Sequence, residues 1–121
     1  MGKLPRLVAV AVGLFFVALG LWAFFDPRSF YDQLATFPPY NRHFLHDVGA
    51  FQIGIGATLL LAAGWRDALG VALGGAAIGG AIHTAAHVID SDRGGKDTDP
   101  YLLGLLALIL AVGAFARRRA E

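Results

Sequence analysis

The sequence contains no cysteine and few charged residues. Without cysteine, the chain can form neither a disulfide framework nor a thiolate metal or redox site. Charged residues make up 16% of the 121 residues, whereas ordinary soluble domains are about 25% charged. The formal net charge of +1 gives no indication of nucleic-acid binding, and we expect no nucleic-acid partner.

The sequence instead contains long runs of apolar residues. Hydrophobic residues make up 56% of the chain, and the mean hydropathy is +0.59. A bilayer core about 30 Å thick needs about 20 helical residues, and four stretches meet this requirement. Each run is continuously apolar rather than alternating, which favours helices over barrel strands. The sequence predicts an all-α, integral membrane four-helix bundle forming one domain over residues 1–121. Its helices run from about Leu7 to Phe25, Phe44 to Trp65, Ala68 to Ile89 and Pro100 to Ala116.

The first run could instead be a secretory signal, because Lys3 and Arg6 precede it. However, it is longer than a typical signal core of about 7–15 residues. The Trp22-Ala23-Phe24-Phe25 segment also lacks the small residues that a signal peptidase requires. We therefore expect this run to remain as a membrane helix.

Basic residues cluster on one side of the four predicted spans, while most aspartates fall on the other side. Because Lys and Arg near span ends prefer the cytoplasmic face, we expect a multi-pass protein of the cell membrane with both termini cytoplasmic. The basic residues of the cytoplasmic side are Lys3, Arg6, Arg66, Arg117, Arg118 and Arg119.

The first outer loop should contain a short interfacial helix. Asp26-Pro27 combines a capping acid with a proline suited to a first helical turn. Phe30, Leu34 and Phe37 follow at helical spacing, and Pro38-Pro39 should end the helix. The second outer loop, residues 90–99, is rich in aspartate and glycine but lacks the glutamate of an EF-hand, so we expect a solvated loop.

The four histidines occur in two pairs beside the second and third predicted spans. A tight turn at Arg66-Asp67 would fold these spans into a hairpin, and His46 and His87 each lie 20 residues from that turn. His83 and His87 are one helical turn apart, a spacing that suits a metal ion or an axial haem ligand. A lone membrane histidine is more often structural, because its neutral ring can hydrogen bond a helix carbonyl.

We therefore predict a cofactor site at His46, His83 and His87. The cofactor would be haem or a transition metal ion such as zinc, copper or iron, since imidazole binds all of them. The candidate metal ligands are His43, His46, Asp47, His83, His87 and Asp90.

The third span is rich in glycine. Gly70 and Gly74, and also Gly75 and Gly79, have the G-x-x-x-G spacing that lets helix backbones approach closely in lipid. Because Gly75, Gly79, His83 and His87 recur every four residues, the packing face should also carry the imidazoles. The partner could be another helix of this chain, a second copy or a different membrane subunit.

The second predicted span opens with a D-x-G-A-F-Q-x-G-x-G-A run from Asp47 to Ala57. Together with four short spans and a histidine-bearing third span, this run resembles small bacterial four-helix membrane proteins of DoxX-like and uncharacterised type. The resemblance implies a compact bundle and association with other membrane proteins. It implies no catalytic residue.

Three classes of function follow from these features. The first is binding of a metal ion or haem at the histidines. The second is a non-catalytic accessory subunit that packs on a larger membrane complex through the glycine-rich span, with structural histidines. The third is a proton-linked carrier, since imidazole ordinarily titrates near pH 6.5. No residue pattern indicates a particular enzymatic reaction.

Overall fold

The computed structural model describes residues 2–120, and this part of the chain is all helical, without strands. Four of its helices are long and apolar enough to cross a membrane, which confirms the predicted number of spans and indicates a multi-pass membrane protein. The helices are α1 (Leu4–Phe25), α2 (Pro27–Gln33), α3 (Arg42–Gly64), α4 (Leu69–Ile89) and α5 (Asp99–Arg118).

Polar side chains and prolines set where the helices begin. The Asn41 side chain accepts a hydrogen bond from the backbone N–H of Phe44 at 3.0 Å, which caps α3. Arg42 and His43 therefore lie inside the first turn of α3, two residues earlier than predicted. Pro5 lies in the first turn of α1, where its missing N–H costs no hydrogen bond.

The short helix α2 is present but shorter than predicted. The Asp26 carboxylate accepts a hydrogen bond from the Ser29 N–H at 3.2 Å, as the acid-proline start indicates. The prediction that the helix continues to Pro38 is wrong, because α2 ends at Gln33. The N–H groups of Leu34 and Ala35 both donate to the Phe30 carbonyl and close the helix there. Phe37 consequently lies in the loop that follows.

The long helices pack in two pairs. Helix α1 packs along α3, helix α4 packs along α5, and α1 also contacts α5. The predicted turn between α3 and α4 is present, with the Ala68 N–H donating to the Trp65 carbonyl at 3.1 Å. However, α3 and α4 contact each other far less than either contacts its main partner, which differs from the predicted hairpin.

Glycines bring the backbones of α1 and α3 into direct contact. A Cβ atom added at Gly20 would lie 2.7 Å from the carbonyl oxygen of Gly49, and one added at Gly56 would lie 2.6 Å from that of Gly13. Real Cβ atoms do not approach so closely, so only glycine allows this contact. The two glycines of each helix are seven residues apart, which places them on one face.

The bundle has two distinct ends. At the arginine end, α1 begins, α3 turns into α4, and α5 ends; the main core lies toward this end and draws buried residues from all four long helices. At the histidine end, α1 and α4 end while α3 and α5 begin, and a smaller core of Ala23, Phe30 and Leu45 joins α1, α2 and α3. The main core consists of Val8, Ala9, Val12, Leu59, Ala62, Ala63, Leu69, Leu73 and Leu110.

Candidate functional site

The two histidines of α3 contact different neighbours. His43 is exposed, and its Nε2 lies 3.6 Å from the Asp47 carboxylate one turn further along α3. The His46 ring packs on Phe24 of α1, with 5.0 Å between the ring centres. His46 thus helps to join α1 to α3.

The histidines of α4 form a cluster with a residue that the sequence did not identify. The His83 and His87 rings lie edge to face with their centres 4.9 Å apart. The Nδ1 atom of His87 lies 3.7 Å from Oδ2 of Asp99, the first residue of α5. Both side chains are mostly buried, with exposed fractions of 17% for His87 and 12% for Asp99. We call His83, His87, Asp99 and the adjoining Phe37 the His87 cluster.

Two loops cover the His87 cluster. The Phe37 ring stands perpendicular to the His87 ring at 5.2 Å between centres. The backbone N–H of Gly95 donates to the Thr36 carbonyl at 2.8 Å, and Lys96 Nζ donates to the Gln33 carbonyl at 2.6 Å. The predicted solvated loop is therefore partly tied to the segment between α2 and α3.

Glycine is required where these loops meet. Gly94 and Gly95 have φ angles of +141° and +78°, which residues with a side chain rarely adopt. A Cβ atom at Gly95 would also lie 2.7 Å from the ring of Phe37. Asp99 completes the junction by accepting a hydrogen bond from the Lys96 N–H at 2.9 Å.

The predicted ligands do not form a ready metal centre. Across residues 2–120, no group of three or more His, Asp or Glu side chains is arranged to hold a metal ion. His46 contacts Phe24, whereas His87 contacts His83, Asp99 and Phe37. Asp90 is an exposed residue at the C-terminal end of α4, where its N–H donates to the Ala86 carbonyl at 2.8 Å.

One face of α4 is left open by the rest of the described chain. A Cβ atom added at Gly75 or Gly79 would meet nothing within 4 Å. Ile78 and Ile82 on the same face are each 66% exposed, and His83 at its end is exposed as well. We call Gly75, Ile78, Gly79, Ile82 and His83 the open α4 face.

The other glycines of α4 show where the predicted packing occurs within the chain. Gly74 is open like Gly75, whereas a Cβ at Gly70 would lie 3.5 Å from Cγ of Arg117. Gly80 also faces α5, and a Cβ there would lie 3.2 Å from that of Ala107. Of the predicted packing glycines, Gly70 alone therefore meets a neighbouring helix within residues 2–120.

Three further polar side chains lie within the spans. Thr58 and Thr84 donate to the carbonyls of Gly54 and Gly80 at 2.9 and 2.8 Å, so each hydroxyl is satisfied on its own helix. Gln52 differs from them. Its buried Oε1 atom has no hydrogen-bond partner within residues 2–120.

Comparison with known proteins adds no assignment to these features. No protein family model matches the chain. Neither a curated protein nor a solved structure matches it. The resemblance to DoxX-like proteins therefore stays a prediction that rests on the Asp47 to Ala57 run and the layout of the spans.

Proposed function

We propose that the protein is a non-catalytic subunit that docks on a transmembrane helix of another membrane protein through the open α4 face. The observation that carries the proposal is the unfilled space beside Gly75 and Gly79. The same chain uses glycine for close helix contact between α1 and α3, so its open glycines on α4 offer an equivalent surface to a partner.

The physical chemistry of lipid supports this function. Apolar side chains gain little by leaving lipid for another helix, so close packing and polar contacts must hold membrane helices together. Gly75 and Gly79 let a partner backbone approach between Ile78 and Ile82. His83 offers that partner a hydrogen-bonding group, and an ionisable side chain facing the membrane is costly without one.

Site-specific photo-crosslinking in native membranes tests the docking function. A photoreactive residue at Gly79 should yield a cross-link to one discrete membrane protein. The same residue at Leu105, which is 55% exposed on α5, should label lipid instead. Equal labelling of one protein from both positions, or of lipid alone from both, would contradict the proposal.

A matched pair of substitutions adds a functional control. Gly79→Leu should abolish co-purification of the cross-linked partner, because the new side chain fills the docking surface. Gly54→Leu makes the same change on α3, where a Cβ also meets nothing within 4 Å, and should leave co-purification intact. Both variants should be at least as stable toward unfolding as the wild-type chain, because each replaces a helix glycine with open space beside it.

The placement in the membrane is also part of the proposal. We infer that both termini are cytoplasmic and that α2 lies along the opposite membrane surface. The basic residues at the arginine end support this orientation. In intact cells, a cysteine at exposed Asp97 should react with an impermeant maleimide, and a cysteine at exposed Arg119 should not.

A second function is favoured by the contact among His83, His87 and Asp99. Two imidazoles and a carboxylate are ligands that zinc, copper and iron accept. Metal binding would have to draw these groups together, because they are not arranged around an ion as they stand. For haem, His46 would have to leave Phe24. We therefore place this function behind docking.

Metal analysis and a visible spectrum of the purified protein test the second function. Stoichiometric metal that is lost in His87→Ala but kept in His43→Ala would support a metal site, since His43 is exposed and lies beside Asp47 on α3, away from the His87 cluster. A Soret band would instead identify haem. Protein without metal or haem after expression in metal-supplemented medium would rule the second function out.

A further inference from the structure

Two grooves lie side by side at the arginine end, separated by Val71. The first has a volume of about 380 Å³ and runs between α3 and α4, with Thr58, Leu61 and Trp65 in its wall. The second has a volume of about 470 Å³ and runs between α4 and α5, with Asp67, Phe115 and Arg118 in its wall. Val71 lines both grooves.

The grooves present apolar side chains on the outside of the bundle. Leu61, Trp65 and Val71 are 57%, 63% and 79% exposed, and Phe115 is 57% exposed. They lie on helices that are apolar enough to cross a membrane. Linear hydrocarbon chains are the apolar groups that a bilayer supplies at this position.

The positive charge at the arginine end indicates that a lipid bound in the grooves would carry an anionic headgroup. Among the described residues, Asp67 is the one acid there, against Lys3, Arg6, Arg66 and three arginines at the end of α5. Arg66 and Arg118 form no ion pair within residues 2–120. Their guanidinium groups are available to an anion from outside the described chain.

Arg117 has a different role. Its Nη2 donates to the backbone carbonyl of Arg66 at 3.0 Å, and the residue is only 6% exposed. This bond fixes the end of α5 against the turn between α3 and α4. The relative positions of the two grooves and of Arg118 are thereby held constant.

We propose that an anionic phospholipid binds at the arginine end, with one acyl chain in each groove, Val71 between the chains and the phosphate beside Arg118. The two grooves match the two chains of such a lipid, and the basic residues match its charge. The site lies toward the opposite end of α4 from His83 and does not depend on the proposed docking function.

Native mass spectrometry of the full-length protein tests the headgroup preference. The protein is extracted from vesicles of equimolar phosphatidylglycerol and phosphatidylcholine, and the retained lipid is counted. Phosphatidylglycerol should be enriched at least about fivefold, since one surface arginine favours anionic lipid by about that factor. Arg118→Gln should lower the enrichment about fivefold. Arg93→Gln, an exposed arginine at the histidine end, should leave it unchanged.

A groove-filling substitution tests the acyl chains separately. Thr58→Trp places an indole in the first groove from an exposed position on α3 and should reduce the retention of both lipids. Ala50→Trp adds the same ring at an exposed position of α3 that does not line the groove, and should have no effect. Equal retention of both lipids by the wild type, or enrichment unchanged in Arg118→Gln, would overturn the proposal. If Thr58→Trp does not fold, the headgroup comparison decides alone.

Discussion

The Asp99 carboxylate joins α4 to the loop before α5 at the histidine end. Its Oδ2 accepts the Lys96 N–H at 2.9 Å and lies 3.7 Å from Nδ1 of His87. The Nζ atom of Lys96 in turn donates a hydrogen bond to the Gln33 carbonyl. The side chains of Asp99 and Lys96 together therefore connect the start of α5, the end of α4 and the end of α2.

Asp99→Ala should lower the free energy of unfolding by about 2 kcal/mol, because hydrogen bonds to charged groups contribute about 1.5–3 kcal/mol. Asp99→Asn should recover part of the loss, since its amide oxygen can still accept the Lys96 N–H. The measurement is denaturant unfolding in detergent micelles. Asp97→Ala, an exposed neighbour, should change stability by less than about 0.5 kcal/mol. A similar loss in both alanine variants would show that Asp99 has no special role.

For Gln52, in contrast to Asp99, we expect a substitution to stabilise the protein. Its buried Oε1 atom lacks a partner within residues 2–120, and an unsatisfied buried acceptor costs about 1–3 kcal/mol. Gln52→Met should therefore raise the unfolding free energy by about 1 kcal/mol in the isolated protein. Thr58→Val, which removes a hydroxyl already bonded to Gly54, should give no such gain. A destabilised Gln52→Met would mean that the amide has a partner outside the described residues.

For single residues, the sequence indicated which side chains could bind a ligand but not which of them would contact one another. Asp99 was assigned to the end of the second outer loop, and its contact with His87 spans a loop whose path depends on Gly94 and Gly95. Phe37 was assigned to a helix because its spacing from Phe30 is helical. Hydrogen bonds to the Phe30 carbonyl end that helix earlier, and spacing alone does not show them.

Among the helices, α1 and α3 approach each other closely through glycines on both sides of their contact. Gly20 faces Gly49, and Gly13 faces Gly56. The reciprocal pairing fixes both the register and the antiparallel direction of the two helices. It also indicates where a single methyl group cannot be accommodated.

Gly20→Ala should destabilise the protein by about 1–3 kcal/mol, the usual cost of forcing extra atoms into a close contact. The new Cβ would lie 2.7 Å from backbone atoms of α3, so the helices must move apart. Gly54→Ala meets no neighbour and should stabilise α3 by up to about 1 kcal/mol. Unfolding in detergent, followed by circular dichroism, measures both. The same sign for both substitutions would contradict this packing.

The positions of the helices could be predicted from sequence, because run length and apolarity are local properties. Which glycines pack against another helix could not be predicted, because α4 carries the more conspicuous G-x-x-x-G spacing. The signal for the actual contact was present as a spacing of seven in both α1 and α3. Its meaning depends on which two helices are neighbours, which a single sequence does not show.

In the whole molecule, the two helix pairs replace the predicted hairpin of α3 and α4. The tight turn at Arg66-Asp67 was predicted correctly, but a short connection does not make two helices pack along their length. Helices α1 and α5 offer better-matched faces to α3 and α4. The predicted layer containing both His46 and His87 depended on that hairpin.

Cysteine cross-linking can test this arrangement without removing native thiols, because the chain has no cysteine. The double variant with Gly80→Cys and Ala107→Cys should form an intramolecular disulfide between α4 and α5, where the Cβ atoms would lie 3.2 Å apart. The double variant with Gly54→Cys and Gly79→Cys should not, since neither position has a neighbour within 4 Å. Mobility on a non-reducing gel distinguishes the two. Efficient cross-linking of the second pair would restore the α3–α4 hairpin.

The pairing of α1 with α3 and of α4 with α5 has a consequence for biogenesis. Each pair is contiguous along the chain, so the first can close before the second has entered the membrane. Helix α1 has the highest mean hydropathy of the four long helices, 2.5, which suits a segment that must reside alone in lipid until its mate is inserted. Membrane integration should thus proceed in two steps, and a chain truncated after residue 66 and released from the ribosome should contain a closed first half.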